Sequence, residues 1–219
     1  MAGILLSPTE KSFIVHGVQA NGRSNIDYRP MELESDVVSH TSGSSRIRLA
    51  NTDILVGVKT EIDTPSPNNP GWGKIDFFVD WFILECGGNL FDAVSLAVKA
   101  ALFNTRIPIV KAVLMDGGNV DLQLSDDPYD CKLVEAGTAP LLVTLCKIGD
   151  KCVVDPSAEE ESCSVISLVV GITGNPLYYC QAQEAQKYPE LDGKCSTIGM
   201  NGSGSMAPKT LKDAITQGL

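Results

Sequence analysis

Two short segments carry the groups best suited to chemistry. The first is Cys86-Gly87-Gly88-Asn89-Leu90, where the apolar run Phe82-Ile83-Leu84 gives way to a glycine turn and then to an apolar-faced helix. Backbone N–H groups at a helix N-terminus point at whatever precedes it, and a glycine pair lets a phosphate approach, so the turn has the architecture of an anion site. A cation is missing: the residues after the glycines are Asn89 and Leu90. The second segment is Asp155 with Glu159, Glu160 and Glu161. Asp155-Pro156 reads as a helix start, because aspartate caps free N–H groups and proline tolerates the first helical position. The glutamates then suit the positive end of the helix dipole, and the plain reading is a capped, solvated helix end. His16 and His40 have no nucleophile or carboxylate at motif spacing and read as polar surface residues. Asp126, Asp127 and Asp130 surround Pro128 as in a turn, without the glycine-centred pattern of a calcium loop. No metal and no cofactor is expected.

The elements that must position these residues follow from periodicity. Thr9 to about Gln19 forms a short leading helix with Phe13, Ile14 and Val18 on one side and Gly17 near its end. Alternation from Met31 to Ile62 predicts three strands joined by polar turns, and 63–71 is a proline- and asparagine-rich loop. The unbroken apolar run from Ile75 to Leu84 predicts one long buried strand or two strands jammed together. A helix follows from about Asn89 to Phe103, with Pro108 ending the helical pattern, and a strand over 109–114 leads to the hairpin turn Asp116-Gly117-Gly118-Asn119. Leu141–Ile148 and Lys151–Val154 form a second hairpin around Gly149-Asp150. Val165–Ile172 pairs with Leu177–Cys180, Gln181 to Ser205 is a polar loop, and a last helix starts near Ala207-Pro208.

Composition narrows the class. With 219 residues and 43% hydrophobic content the chain can bury one substantial core, and a single domain over 1–219 is expected. Acidic residues outnumber basic ones 27 to 17, for a formal net charge of −10, which argues against a broad nucleic-acid grip by counterion release. Seven cysteines without a C-x-x-C pair suggest a reducing compartment and core filler. Met1–Leu6 is too short for a secretory signal, and no apolar run reaches spanning length, so a soluble intracellular protein is expected.

An ordered series of motifs is more specific than any of these. Asn21-Gly22-Arg23, Asp27-Tyr28-Arg29-Pro30, Ser42 through Glu61, the Gly-Gly-Asn-Leu helix, Ala101 through Pro108, Leu124 through Cys131, Val143 through Gly149 and Val153-Val154-Asp155 together resemble the RNase PH-like ring subunits of the RNA exosome. The resemblance implies an α+β fold, the two-layer arrangement shared with ribosomal protein S5 domain 2. It also implies a non-catalytic scaffold subunit supporting 3′-to-5′ RNA processing and degradation, including rRNA maturation. Expected partners are other RNase PH-like and cap subunits, with RNA contacted weakly or indirectly and neither DNA nor membrane bound. The expected localisation is nucleus, nucleolus and cytoplasm. Active members use phosphate as nucleophile, held by an arginine beside the glycine turn and activated by carboxylates. By that comparison Gly87, Gly88, Asn89 and Leu90 are degenerate phosphate-site positions and Asp155 is a residual acidic position, while Glu159-Glu160-Glu161 replaces a second aspartate without a clear match. Lacking the arginine, Asp155 and Glu159 would have only the helix end to balance them.

The family carries a long excursion, with an arginine- and glycine-rich loop, after the strand matching Lys74–Asp80. Here Asp80 joins Trp81 directly, which implies an internal deletion after residue 80, and the leader between Gln19 and Asn21 and the terminal helix are also short by that comparison. Two alternatives differ in class: a phosphate-dependent 3′–5′ exoribonuclease, disfavoured by Asn89-Leu90, and a shortened chain unable to join the ring.

Overall fold

The computed structural model describes residues 5–17, 22–63, 74–114, 120–125, 127, 129–172 and 195–202. Ser7 opens α1 (Pro8–His16) with a capping box: its hydroxyl accepts from the Glu10 N–H while the Glu10 carboxylate accepts from the Ser7 N–H at 2.7 Å. The helix closes at Gly17, whose N–H reaches back to the Phe13 carbonyl, so it is shorter than the 9–19 expected.

The first sheet runs in the order β1 (Met31–Ser35), β2 (Gly43–Leu49), β3 (Thr52–Asp63), β4 (Lys74–Glu85), antiparallel throughout. Alternation sets its two faces. Ile47, Leu49, Ile54, Val56 and Val58 are buried, whereas Arg46 and Arg48 point outward and pair with Asp53 and Glu32. Across the buried face lies α2 (Leu90–Phe103), whose Ala93, Ala97 and Ala101 are fully buried and whose small side chains let the helix sit close; Ser45 Oγ donates to the Ala97 carbonyl at 2.6 Å.

After α2 come β5 (Arg106–Pro108) and β6 (Val110–Leu114), then β7 (Val120–Leu124) and β8 (Cys131–Leu133). β6 pairs with β7 and β5 with β8, both antiparallel. Pro108 therefore ends a short strand, not the helix, which stops at Phe103. The 116–119 turn lies outside the described residues, but the pairing of Leu114 with Val120 shows the hairpin arms that it joins.

The second sheet has the order β10 (Lys151–Val154), β9 (Leu141–Ile148), β11 (Ile166–Ile172), β12 (Cys195–Gly202), again antiparallel. Here β12 occupies part of 181–205, a segment whose composition predicts a loop. Gly, Asn, Ser and Thr dominate this strand, and pairing with the full length of β11 overrides that weak local preference. The expected strand 177–180, the turn at 173–176 and the helix from 207 lie outside the described residues. Leu145, Val154, Leu168 and Val170 face Tyr28, which also packs on the first core. Cys146, Ile148 and Val153 face the other way, toward Val15 of α1 and Cys163 of α3 (Ala158–Cys163). Of the cysteines with described side chains Cys146 is fully buried, its thiol pushed up to about 12 chiefly by burial, and Cys152 and Cys163 are half-buried against the cores; Cys86 is exposed and does not fit the core-filler reading.

Three side chains along one stripe of α2 tie it to β9 and to the residues just before it. Asp92 accepts from the Thr144 N–H and hydroxyl and from the Tyr28 hydroxyl, Ser95 Oγ accepts from the Leu142 N–H, and Lys99 donates to the Ala139 carbonyl. Burial raises the pKa of Asp92 against these three donors, and it raises that of Tyr28 as well.

β4 departs from expectation. It is one continuous strand that pairs with β3 from Lys74 to Glu85, but it is exposed on both faces rather than buried. The reason is topological: α2 lies over β2 and β3, and β2 stops pairing with β3 at Val58, so 59–63 and 74–78 continue as a two-stranded ribbon.

Candidate functional site

The glycine turn and the acidic segment meet. Asp155 follows β10 in the left-handed region, φ +50°, a conformation that aspartate and asparagine tolerate better than most residues, and it is fully buried. It is therefore not the solvated helix cap expected from sequence. Ser157 takes that role, accepting from the Glu160 N–H while Glu160 accepts from the Ser157 N–H at 2.8 Å.

Arginine supplies the charge that local sequence lacked. Arg29 donates to Asp155 Oδ2 from its backbone N–H (2.8 Å) and Nε (2.9 Å), and to Oδ1 from Nη2 (2.9 Å). The same guanidinium donates to the carbonyls of Gly87 (2.8 Å) and Gly88 (3.1 Å), clamping the aspartate to the glycine turn. Asn89 Nδ2 adds a 2.6 Å bond to Asp155 Oδ1, and Arg23 bridges Asp155 and Glu160 at 3.3 and 3.4 Å. Burial alone would raise the Asp155 pKa, but the hydrogen bonds and charge of Arg29, with the Asn89 amide, hold it below the usual carboxylate range.

The N-terminus of α2 holds an anion that belongs to the chain itself. The Asn89 N–H donates to Glu161 Oε1 at 2.8 Å, and burial raises the pKa of that carboxylate. The glycines serve contacts between segments. A Cβ on Gly87 would lie 2.5 Å from Asn51 Cβ, and one on Gly88, at φ +100°, 2.5 Å from the Ala158 nitrogen. Thr52 closes the arrangement, its hydroxyl donating to the Gly88 carbonyl and accepting from the Gly87 N–H. Leu90 packs against the first core.

The structure thus brings Gly87, Gly88, Asn89 and Asp155 together with Glu160 and Glu161, and corrects two expectations. Asp155 is balanced by two arginines rather than by a helix end alone, and Glu159 turns to the Ser157 hydroxyl. Arg23 and Arg29 were missed as site residues because they lie 132 and 126 positions from Asp155. His16 and His40 are exposed, with His16 bonded to the Ser12 carbonyl. The Asp127 carboxylate accepts from the Tyr129 N–H as in a turn, while Asp126 lies outside the described residues. Among the described residues no group of three or more acidic, histidine or cysteine side chains is placed to hold a metal ion. Chemically, the cluster neutralises buried carboxylates and fastens the second sheet to the first.

This fold, two antiparallel sheets with a helix between them and a glycine turn meeting a buried aspartate, is an RNase PH-like α+β fold. Domain 1 of the 3′ exoribonuclease family matches residues 27–78 and domain 2 matches 138–219. The chain belongs to this family. It is 30% identical over 207 positions to the exosome complex component Rrp42 of Methanothermobacter thermautotrophicus, covering 70% of this chain and 74% of the relative. It is 28% identical to the "Putative exosome complex exonuclease RRP42" of Dictyostelium discoideum over 272 positions, covering 76% and 84%. That alignment is longer than the chain, so the relative contains residues with no counterpart here. Among solved structures, the Archaeoglobus fulgidus exosome with RNA bound to the active site has a chain with a similar fold, TM-score 0.67 at 19% identity, covering 96% of this chain and 93% of that one. An archaeal exosome core gives 0.66 at 20%, covering 96% and 92%.

Proposed function

We propose that the chain is a non-catalytic, RNase PH-like ring subunit of the RNA exosome, corresponding most closely to exosome component seven, which holds other subunits in place during 3′-to-5′ RNA processing and degradation. One observation carries the non-catalytic reading: the helix end and the aspartate that a phosphorolytic site would need are occupied by the chain's own Glu161, Arg29 and Arg23. A phosphate entering there would meet a buried carboxylate, with Leu90 offering no charge to offset the repulsion. Gly87, Gly88, Asn89 and Leu90 are accordingly the remnants of a phosphate site, and Asp155 is retained as a structural acid. The partners in this reading are other RNase PH-like and cap subunits, RNA is touched weakly or indirectly, and the work includes rRNA maturation in nucleus, nucleolus and cytoplasm.

The internal deletion belongs to the same reading. The domain 1 match ends at residue 78, two positions before the Asp80–Trp81 junction, and the Dictyostelium relative's unmatched residues support a missing excursion. The exposed faces of β4 favour a second possibility, a shortened chain that does not enter the ring. Co-expression with the other ring subunits, followed by purification through one of those subunits, separates the two. Stoichiometric recovery supports the scaffold, and absence of the chain supports the shortened form. Release of nucleoside diphosphates from single-stranded RNA by the purified chain, abolished by Asp155→Ala, would overturn the non-catalytic reading.

A further inference from the structure

β4 is the outer strand of the first sheet among the described residues, and it carries an unusual load of apolar side chains. Edge strands are ordinarily short, charged or covered, because unpaired backbone N–H and C=O groups template pairing with another chain. β4 is 12 residues long, with Trp81 54% and Phe82 62% exposed. The strand alternation puts Ile75, Phe77, Val79, Trp81 and Ile83 on one face, and Val79 on that face packs against the first core. No charged residue interrupts that face.

We infer that the free chain pairs with a second copy of itself through β4, antiparallel, about a twofold axis at Val79. A twofold axis perpendicular to a sheet sets each residue opposite its mirror position on the partner, on the same face. Centred on Val79, the axis places Ile75 opposite Ile83 of the second copy, Phe77 opposite Trp81, and Val79 opposite Val79. Neighbouring registers are worse on charge. Centring on Asp80 puts the two Asp80 carboxylates directly opposite each other, and centring on Phe78 puts Asp76 opposite Asp80, like-charge pairs that disfavour those registers. In the Val79 register Asp80 faces Phe78, and Asp76 is already paired with Lys74 of its own strand at 2.6 Å. The pairing would join two four-stranded sheets into one of eight and continue the core face across the junction.

The test uses the intact chain. Light scattering after size exclusion, over a concentration series, is expected to show a dimer, with amides of 75–85 increasingly protected from hydrogen exchange as concentration rises. Trp81→Lys should weaken association by tenfold or more while circular dichroism stays native. Register is read with two double variants. Phe77→Glu with Trp81→Glu sets glutamates opposite each other and should abolish the dimer, whereas Phe77→Glu with Trp81→Lys sets opposite charges together and should recover at least tenfold of the lost affinity. A monomer at all concentrations with β4 amides unprotected overturns the proposal. So does equal weakening by both double variants, or β4 protection that arises only when other ring subunits are added.

Discussion

Asp155→Ala is the most informative perturbation of the site. Its carboxylate, fully buried, accepts five hydrogen bonds: three from Arg29, one from Asn89 and one from Arg23. Removing it leaves the Arg29 guanidinium, only 8% exposed, with two carbonyl partners and without its ion pair, and takes from the Asn89 amide its 2.6 Å bond to Asp155. Breaking a buried ion pair from one side costs about 3–5 kcal/mol, because the surviving charge stays desolvated. That is a large part of the ~5–15 kcal/mol by which domains are stable. Asp155→Asn keeps the shape and the left-handed backbone but leaves the same uncompensated Arg29 charge and turns an amide NH2 toward the donors on one oxygen, so its cost should also be about 3–5 kcal/mol. Urea denaturation of the purified chain measures both, with Glu32→Ala as control; its partner Arg48 is half-exposed, and such pairs are worth about 0–1 kcal/mol. A double-mutant cycle of Arg29→Met with Asp155→Asn should show a coupling of about 1–3 kcal/mol. If Asp155→Ala costs less than ~1 kcal/mol, or if the cycle is additive, the clamp is not what joins the two sheets.

Four further outcomes follow from the same geometry. Gly88→Ala should destabilise by more than about 1 kcal/mol, since φ is +100° and the new methyl would meet the Ala158 nitrogen; an unchanged urea midpoint contradicts this. In acid, Asp155, with its lowered pKa, contributes stability above the ordinary aspartate pKa of about 4 and loses it as pH falls through the depressed folded value. Glu161 and Asp92, raised by burial, act oppositely, their protonation on descent from neutral relieving a cost. Urea midpoints against pH should therefore lose their steep acid limb in Asp155→Asn, and a profile parallel to wild type would refute the assignment. Leu90→Arg should not confer phosphate-dependent shortening of RNA, because Glu161 still occupies the α2 N-terminus; product release by that variant would show the site to be open. Restoring a family-like insert between Asp80 and Trp81 should raise the melting temperature and incorporation into the ring, since each large apolar side chain that it covers on β4 is worth roughly 1.5–3 kcal/mol. An unchanged melting temperature would show that the insert covers nothing.

Local pattern in the sequence determined most elements. Alternation gave β1 to β3 and the β9–β10 hairpin, and an apolar stripe after two glycines gave α2 within a residue at its start. Those signals are legible because each depends on neighbours one to four positions away. The ordered motifs were enough to indicate the family and so the α+β fold. What the tertiary structure decided depends on distance along the chain. Ser157 rather than Asp155 caps α3, because Asp155 is drawn into the interior by Arg29 from 126 residues upstream. The glycine turn reads as an open anion site in one dimension, yet in three dimensions Glu161, 72 residues on, fills it. β4 reads as buried from its composition and stands exposed, since hydrophobicity states what a strand would gain from a cover and only topology determines whether a cover is there. β12 shows the converse: a polar, glycine-bearing segment becomes a strand because β11 offers it an edge with matching hydrogen-bond groups, an interaction that no local window contains.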